Sequence, residues 1–102
     1  MDRLGLGFDA VSQVNPRLIY LKISSQGATG PEANYGSLGS TLEQTAGLAS
    51  ITGYEDGLPS FTNEVYPDPV VGILSFGALM AALRRRKMGR GCLVDISQRE
   101  VT

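Results

Sequence analysis

The sequence predicts an α/β fold built on parallel strands, and three observations carry that prediction. Residues 18–24 form a nearly continuous apolar, β-favouring run, Leu-Ile-Tyr-Leu-Lys-Ile-Ser. Such runs are typical of strands buried on both faces of a parallel sheet. Residues 93–97 form a second run of the same kind. Between them lie segments of helical character, the longest over residues 70–83, and strands alternating with helices point to βαβ connections.

The elements follow in order. Phe8, Val11 and Val14 fall at helical spacing and predict a short helix over 8–14. Asn15-Pro16 stops it, because the residue before proline is pushed out of the α region. The strand over 18–24 follows. Residues 27–39 read as a loop, broken by Gly27, Gly30, Pro31, Gly36 and Gly39. Ser40-Thr41-Leu42-Glu43 fits a capping box, with Ser40 at the cap and Glu43 three residues on. The helix it opens is expected to reach about Ser50 and end near Gly53. A second loop, 54–66, contains Gly57 and Pro59.

Asp68-Pro69 opens the strongest helix, with Asp68 as N-cap and Pro69 at the first helical position. It is expected to run to about Met88, with Gly89 in the left-handed C-terminal position. Arg84, Arg85, Arg86 and Lys87 complement the negative end of its dipole. Gly72, Gly77, Ala78, Ala81 and Ala82 leave little side-chain bulk, so close packing is expected. The apolar segment has 14 residues and a membrane span needs about 20, so a buried helix is the better reading. Ser97-Gln98-Arg99-Glu100 resembles one more helix start. Two strands alone are marginal in water, so the chain is read as part of a larger α/β protein, or as pairing with a copy of itself.

Composition narrows the function. The chain has 102 residues, room for one small domain, with 42% hydrophobic and 19% charged residues, ordinary for a globular protein. A net charge of −1 argues against wholesale nucleic-acid binding, which needs clustered positive charge. The chain has no histidine, so it offers no His general base, no Ser-His or Cys-His pair and no His-ligated metal. One cysteine, Cys92, allows neither an internal disulfide nor a Cys-rich zinc site. No metal is expected. A lone thiol also fits a reducing compartment, most simply the cytoplasm. The N-terminus lacks a basic stretch followed by an apolar run, so no signal peptide and no membrane partner are expected.

Four features invite chemistry, and pattern alone assigns none of them. Gly36-Ser37-Leu38-Gly39-Ser40 precedes a helix N-terminus, where backbone N–H groups can hold an anion; the plain reading is a loop. Asp68 reads first as an N-cap, although the positive end of the dipole would also keep it ionised as a nucleophile. The run Arg84 to Lys87 with Arg90 reads as a solvated helix end. Cys92 opens an apolar strand and reads as an inert thiol.

Larger blocks are more specific. Asn15-Pro16-Arg17-Leu18-Ile19-Tyr20 is followed by Ile23-Ser24, Gly27 and Thr29-Gly30-Pro31. Ala46-Gly47-Leu48-Ala49-Ser50-Ile51-Thr52-Gly53 comes next, then Asp68 with Gly72 four residues on, Ala81-Ala82-Leu83, and the block from Arg86 to Ser97. In order and spacing these resemble the class III coenzyme A transferases, the L-carnitine dehydratase and bile-acid-inducible (CaiB/BaiF) family. The resemblance covers nearly all of residues 1–102 and about a quarter of a typical family chain.

The resemblance implies a fragment of a Rossmann-like parallel-sheet domain whose parent is an interlocked homodimer. It implies an enzyme that moves coenzyme A from an acyl-CoA donor to a carboxylic acid acceptor through an aspartyl-CoA intermediate. The position matching the family aspartate is Asp68. The loop implied to contact coenzyme A is Tyr35, Gly36, Ser37 and Leu38, which lacks the lysine some members use there. Acyl-CoA racemases of the same superfamily look similar around Asp68 but pair the aspartate with a histidine near the position of Leu38, so the transferase reading is preferred. A non-catalytic oligomerising remnant of the fold is the other alternative. A peptide lying on a membrane through residues 70–87 is the weakest.

Overall fold

The computed structural model describes residues 1–62 and 65–102. After a 3-10 turn at Asp2–Leu4, the elements are α1 (Phe8–Val14), β1 (Ile19–Ser24), α2 (Gly39–Ala46), α3 (Leu48–Ile51), α4 (Pro67–Arg86), β2 (Cys92–Ser97) and α5 (Gln98–Val101). β1 and β2 pair in a two-stranded sheet. The pairing is parallel: Gly91 N donates to Pro16 O, Cys92 N to Leu18 O and Arg99 N to Ser25 O, so both strands advance together. The α/β expectation is thereby met.

The chain divides into two compact units. One comprises Met1–Lys22 and Ser75–Val94, the other Ile23–Leu74 and Asp95–Thr102.

In the first unit, α1 stops where Asn15-Pro16 requires. Asn15 is extended (φ −134°, ψ 92°) and its Oδ1 accepts from Arg17 N at 3.0 Å. Phe8 packs edge-on against Tyr20 at 6.1 Å, and the Tyr20 hydroxyl donates to Leu6 O at 3.0 Å. Gly91 is required at the start of β2, because a Cβ there would lie 1.8 Å from Leu18 O. Gly89 has φ +103°, the left-handed position expected of it, and its N–H closes on Arg86 O.

In the second unit, the single helix expected from Ser40 to Ser50 is broken. α2 ends at Ala46, Gly47 turns left-handed (φ +90°), and α3 restarts at Leu48. The capping box does not form. α2 begins one residue early, at Gly39, its N-cap is Leu38, and no side chain caps it. Glu43 is fully buried and turns away from Ser40: its Oε2 accepts from Thr62 N at 2.8 Å and its Oε1 from Thr62 Oγ1 at 2.7 Å. Gly39 itself seats against Val65, where a Cβ would come within 2.7 Å of Cγ1.

Two expectations for α4 are also corrected. The helix begins at Pro67, so Asp68 is its second residue and not its N-cap, and Pro69 lies inside the first turn. Proline suits the first helical position because its missing N–H would be unpaired there anyway; either proline could serve, and the buried Pro67 does. Nor is α4 buried. Val71, Ser75 and Ala82 are covered, but Ile73 and Phe76 are 73% and 64% exposed, because two strands and a few short helices present too little surface to cover it. By length and composition α4 could cross a membrane, with mean hydropathy 1.2 over 18 residues, a test that a core helix also passes. The basic run at its end, from Arg84 to Arg90, is exposed, as a solvated helix end should be.

Candidate active site

The candidate residues lie in the second unit, around the carboxyl ends of β1 and β2. Open α/β sheets bind ligands outside those ends. Beyond β1 come Ser25, Gln26 and Gly27; beyond β2, α5 starts at once with Gln98. The Arg99 N–H donates to Ser25 O at 3.0 Å and ties the two strand ends together. Gly27 (φ +97°) brings its backbone beside Ser97, at 3.8 Å from an ideal Cβ.

Each strand end holds one part of the candidate site. Gln26, buried, donates through Nε2 to Ser37 Oγ, and so fixes the loop Tyr35, Gly36, Ser37, Leu38 to the end of β1. Within that loop Ser37 is half-buried, while Tyr35 and Leu38 are 65% and 80% exposed. Gln98 Nε2 donates to Asp68 Oδ1 at 2.8 Å, fixing the first turn of α4 to the end of β2.

Asp68 is exposed. Its backbone N–H closes on Val65 O, so the side chain has no capping duty. Among the described residues its Oδ2 takes no hydrogen bond. The first turn of a helix favours a negative charge. One oxygen is therefore held, the other faces outward, and the carboxylate can act as a nucleophile.

The structure adds residues that pattern reading missed. Gln26 and Gln98 carried no local signal, since their partners lie 11 and 30 positions away. Glu43 was misassigned to the cap. Arg99 pairs with Glu32, locking α5 to the 27–39 loop. Cys92 is half-buried at the start of β2. No group of His, Cys, Asp or Glu among the described residues could hold a metal.

Residues 1–102 match the profile of CoA-transferase family III. The chain belongs to that family. It is similar to an acyl-CoA transferase of Fusarium pseudograminearum, 38% identical over 95% of this chain and 22% of that protein. It is also similar to the acetyl-CoA:oxalate CoA-transferase of Acetobacter aceti, 34% identical over 95% of this chain and 25% of that one. The crystal structure of a CAIB/BAIF family protein from Brucella suis superposes with a TM-score of 0.88, at 29% identity, over 98% of this chain and 27% of that chain. The family III chain described here thus spans about a quarter of the length of the relatives it matches.

CoA-transferases take CoA thioesters as substrates. The residues at hand fit the reacting end of such a molecule better than its phosphates. Asp68 offers an exposed carboxylate with one oxygen held by Gln98. The second unit, however, has a single cation, Arg99, which Glu32 already engages.

Proposed function

We propose that the protein carries coenzyme A from an acyl-CoA donor to a carboxylic acid acceptor, with Asp68 as the temporary carrier. The observation that carries this reading is the exposed Asp68 carboxylate in the first turn of α4, with Oδ1 held by Gln98 and Oδ2 open.

Asp68 Oδ2 attacks the thioester carbonyl, the C–S bond breaks, and an acyl-aspartyl anhydride forms as CoA thiolate departs. The thiolate attacks Asp68 Cγ and expels the donor acid, leaving CoA on Asp68 as a thioester. The acceptor carboxylate then attacks Cγ and displaces the thiolate. The thiolate attacks the acyl carbon of the new anhydride, which frees the product acyl-CoA and restores Asp68. Splitting one difficult exchange into such steps is what covalent catalysis provides.

Every nucleophile in this sequence is already an anion, a carboxylate or a thiolate. No proton has to be removed, so a chain without histidine is chemically adequate. Racemisation at the α-carbon does require a proton to be taken and returned, which disfavours that alternative for this chain. The Tyr35, Gly36, Ser37, Leu38 loop contacts CoA through backbone and the Ser37 hydroxyl. The protein works as a homodimer built on a Rossmann-like domain, in a reducing compartment suited to a single half-buried thiol.

Asp68→Asn in the intact protein tests the carrier role. Transfer should fall by at least about a thousandfold, since loss of a covalent nucleophile removes the pathway, and hydroxylamine added during turnover should convert the side chain of residue 68 to a hydroxamate in the wild type alone. Transfer undiminished in Asp68→Asn would end this reading.

A further inference from the structure

We propose that Gln98 is a catalytic residue of the transfer, its side-chain amide stabilising the negative charge that develops on Asp68 Oδ1. The inference rests on Asp68 being the carrier.

The geometry is specific. Gln98 Nε2 stands 2.8 Å from Oδ1, inside the range that oxyanion donors occupy. An ionised carboxylate only accepts, so the amide nitrogen and not its oxygen must face it. The donor is also fixed in place. The Gln98 carbonyl accepts from Thr102 N at 3.1 Å and Thr102 Oγ1 at 2.7 Å, Ser97 Oγ accepts from Glu100 N, and the next residue, Arg99, is bonded to Ser25 O. A donor pre-placed on a pinned segment needs no reorganisation when charge appears.

Chemistry explains why an amide serves here. When a thiolate or carboxylate attacks Asp68 Cγ, the carbonyl π bond opens and its electron pair moves onto Oδ1. When the intermediate collapses, the pair returns and the leaving anion departs. Gln98 faces the oxygen that gains and loses this charge at both exchange steps on Cγ. Lysine or arginine at the same place would also pair with the resting carboxylate and blunt its attack on the donor. A neutral amide holds Oδ1 without neutralising Oδ2.

The role divides the steps unequally. In the first attack, by Oδ2 on the donor thioester, charge leaves the carboxylate, and a donor on Oδ1 gives no help. In the attacks on Cγ it helps fully.

The test uses the intact protein with the better of acetyl-CoA and succinyl-CoA as donor and oxalate or glutarate as acceptor. Gln98→Met keeps the length and removes the donor. It should lower kcat by about 100-fold, leave KM for the donor within about twofold, and change the trapped species. Wild type stopped in mid-turnover should carry CoA, and Gln98→Met should carry the donor acyl group instead. Gln98→Asn, which moves the amide back by one methylene, should fall between the two and guards against a loss due only to misfolding.

Asp68→Asn in the same assay separates the two claims. If Asp68→Asn is dead while Gln98→Met works at the wild-type rate, or accumulates CoA as wild type does, the Gln98 role is wrong and the carrier stands. If Asp68→Asn still transfers, both fail together.

Discussion

The two units of the chain are opposites in charge and in how they are held. The unit of Met1–Lys22 and Ser75–Val94 has eight Lys or Arg against two Asp or Glu, a net of +6; the other has one against eight, a net of −7. In the acidic unit the carboxylates work as acceptors for long-range clamps: Glu43 for Thr62, Glu32 for Arg99, Asp68 for Gln98. In the basic unit the cations of α4 stand exposed, and no ion pair among the described residues uses them. That unit is held instead by close backbone approach, at Gly91 against Leu18, and by the Phe8–Tyr20 contact. The side that carries the candidate site is therefore the side organised by polar side chains. Changes that alter backbone space should damage the basic unit most, and changes that remove an acceptor should damage the acidic unit.

The largest effect is expected in the basic unit. Gly91→Ala would place a methyl group 1.8 Å from Leu18 O and 2.5 Å from its carbonyl carbon. Both are backbone atoms, with no rotamer to turn away. The paired strands must separate there, and the Cys92 N–H bond to Leu18 O goes with them. We expect a loss of about 3 kcal/mol, the upper end for an overpacked site, read as a fall in the urea midpoint. An unchanged midpoint would mean that the strands do not approach this closely.

Glu43 probes the acidic unit. Glu43→Ala removes both acceptors from Thr62, and about 2 kcal/mol should be lost. Glu43→Gln keeps one acceptor oxygen and should cost about half as much. A Gln variant as stable as the wild type beside a damaging Ala variant would show that packing around Leu42 and Glu43, and not the pair of hydrogen bonds, holds this part of the unit.

The same contrast explains what could be read from the sequence. α1, both strands and the Ser97 cap of α5 are set by near neighbours: Asn15 before Pro16, a β-branched run, a serine three residues before the N–H it accepts from. Their signals are local, and the structure agrees with them. Ser40-Thr41-Leu42-Glu43 also looked local, but Glu43 found a partner 19 residues away in place of Ser40. Two prolines flank Asp68, and local preference could not choose between Pro67 and Pro69 as the first helical residue. The candidate site was legible only through Asp68 and the Tyr35, Gly36, Ser37, Leu38 loop, and those came from resemblance to a family. Gln26 and Gln98, which tie both to the strand ends, have ordinary surroundings in sequence; only the parallel pairing of β1 and β2 makes them neighbours of the site.

The smallest effect comes from the acidic unit's ion pair, and its sign sharpens the comparison. Arg99 and Glu32 keep 34% and 44% of their side-chain surface exposed, so the pair itself contributes little, about 0.5 kcal/mol. The two halves of it should nonetheless differ. Arg99→Met removes the sole cation from a unit of net −7 and leaves Glu32 among like charges. Glu32→Gln removes one of the eight acids and relieves that repulsion while the pair is lost. Arg99→Met should therefore cost up to about 1 kcal/mol and Glu32→Gln close to none. The difference is long-range Coulomb energy, screened over about 8 Å at physiological salt and about 3 Å at 1 M. Urea midpoints of the two variants should separate at low salt and converge at high salt. A gap that persists in 1 M NaCl would assign the penalty to the packing of the Arg99 side chain, and the charge contrast between the units would then have no part in holding α5.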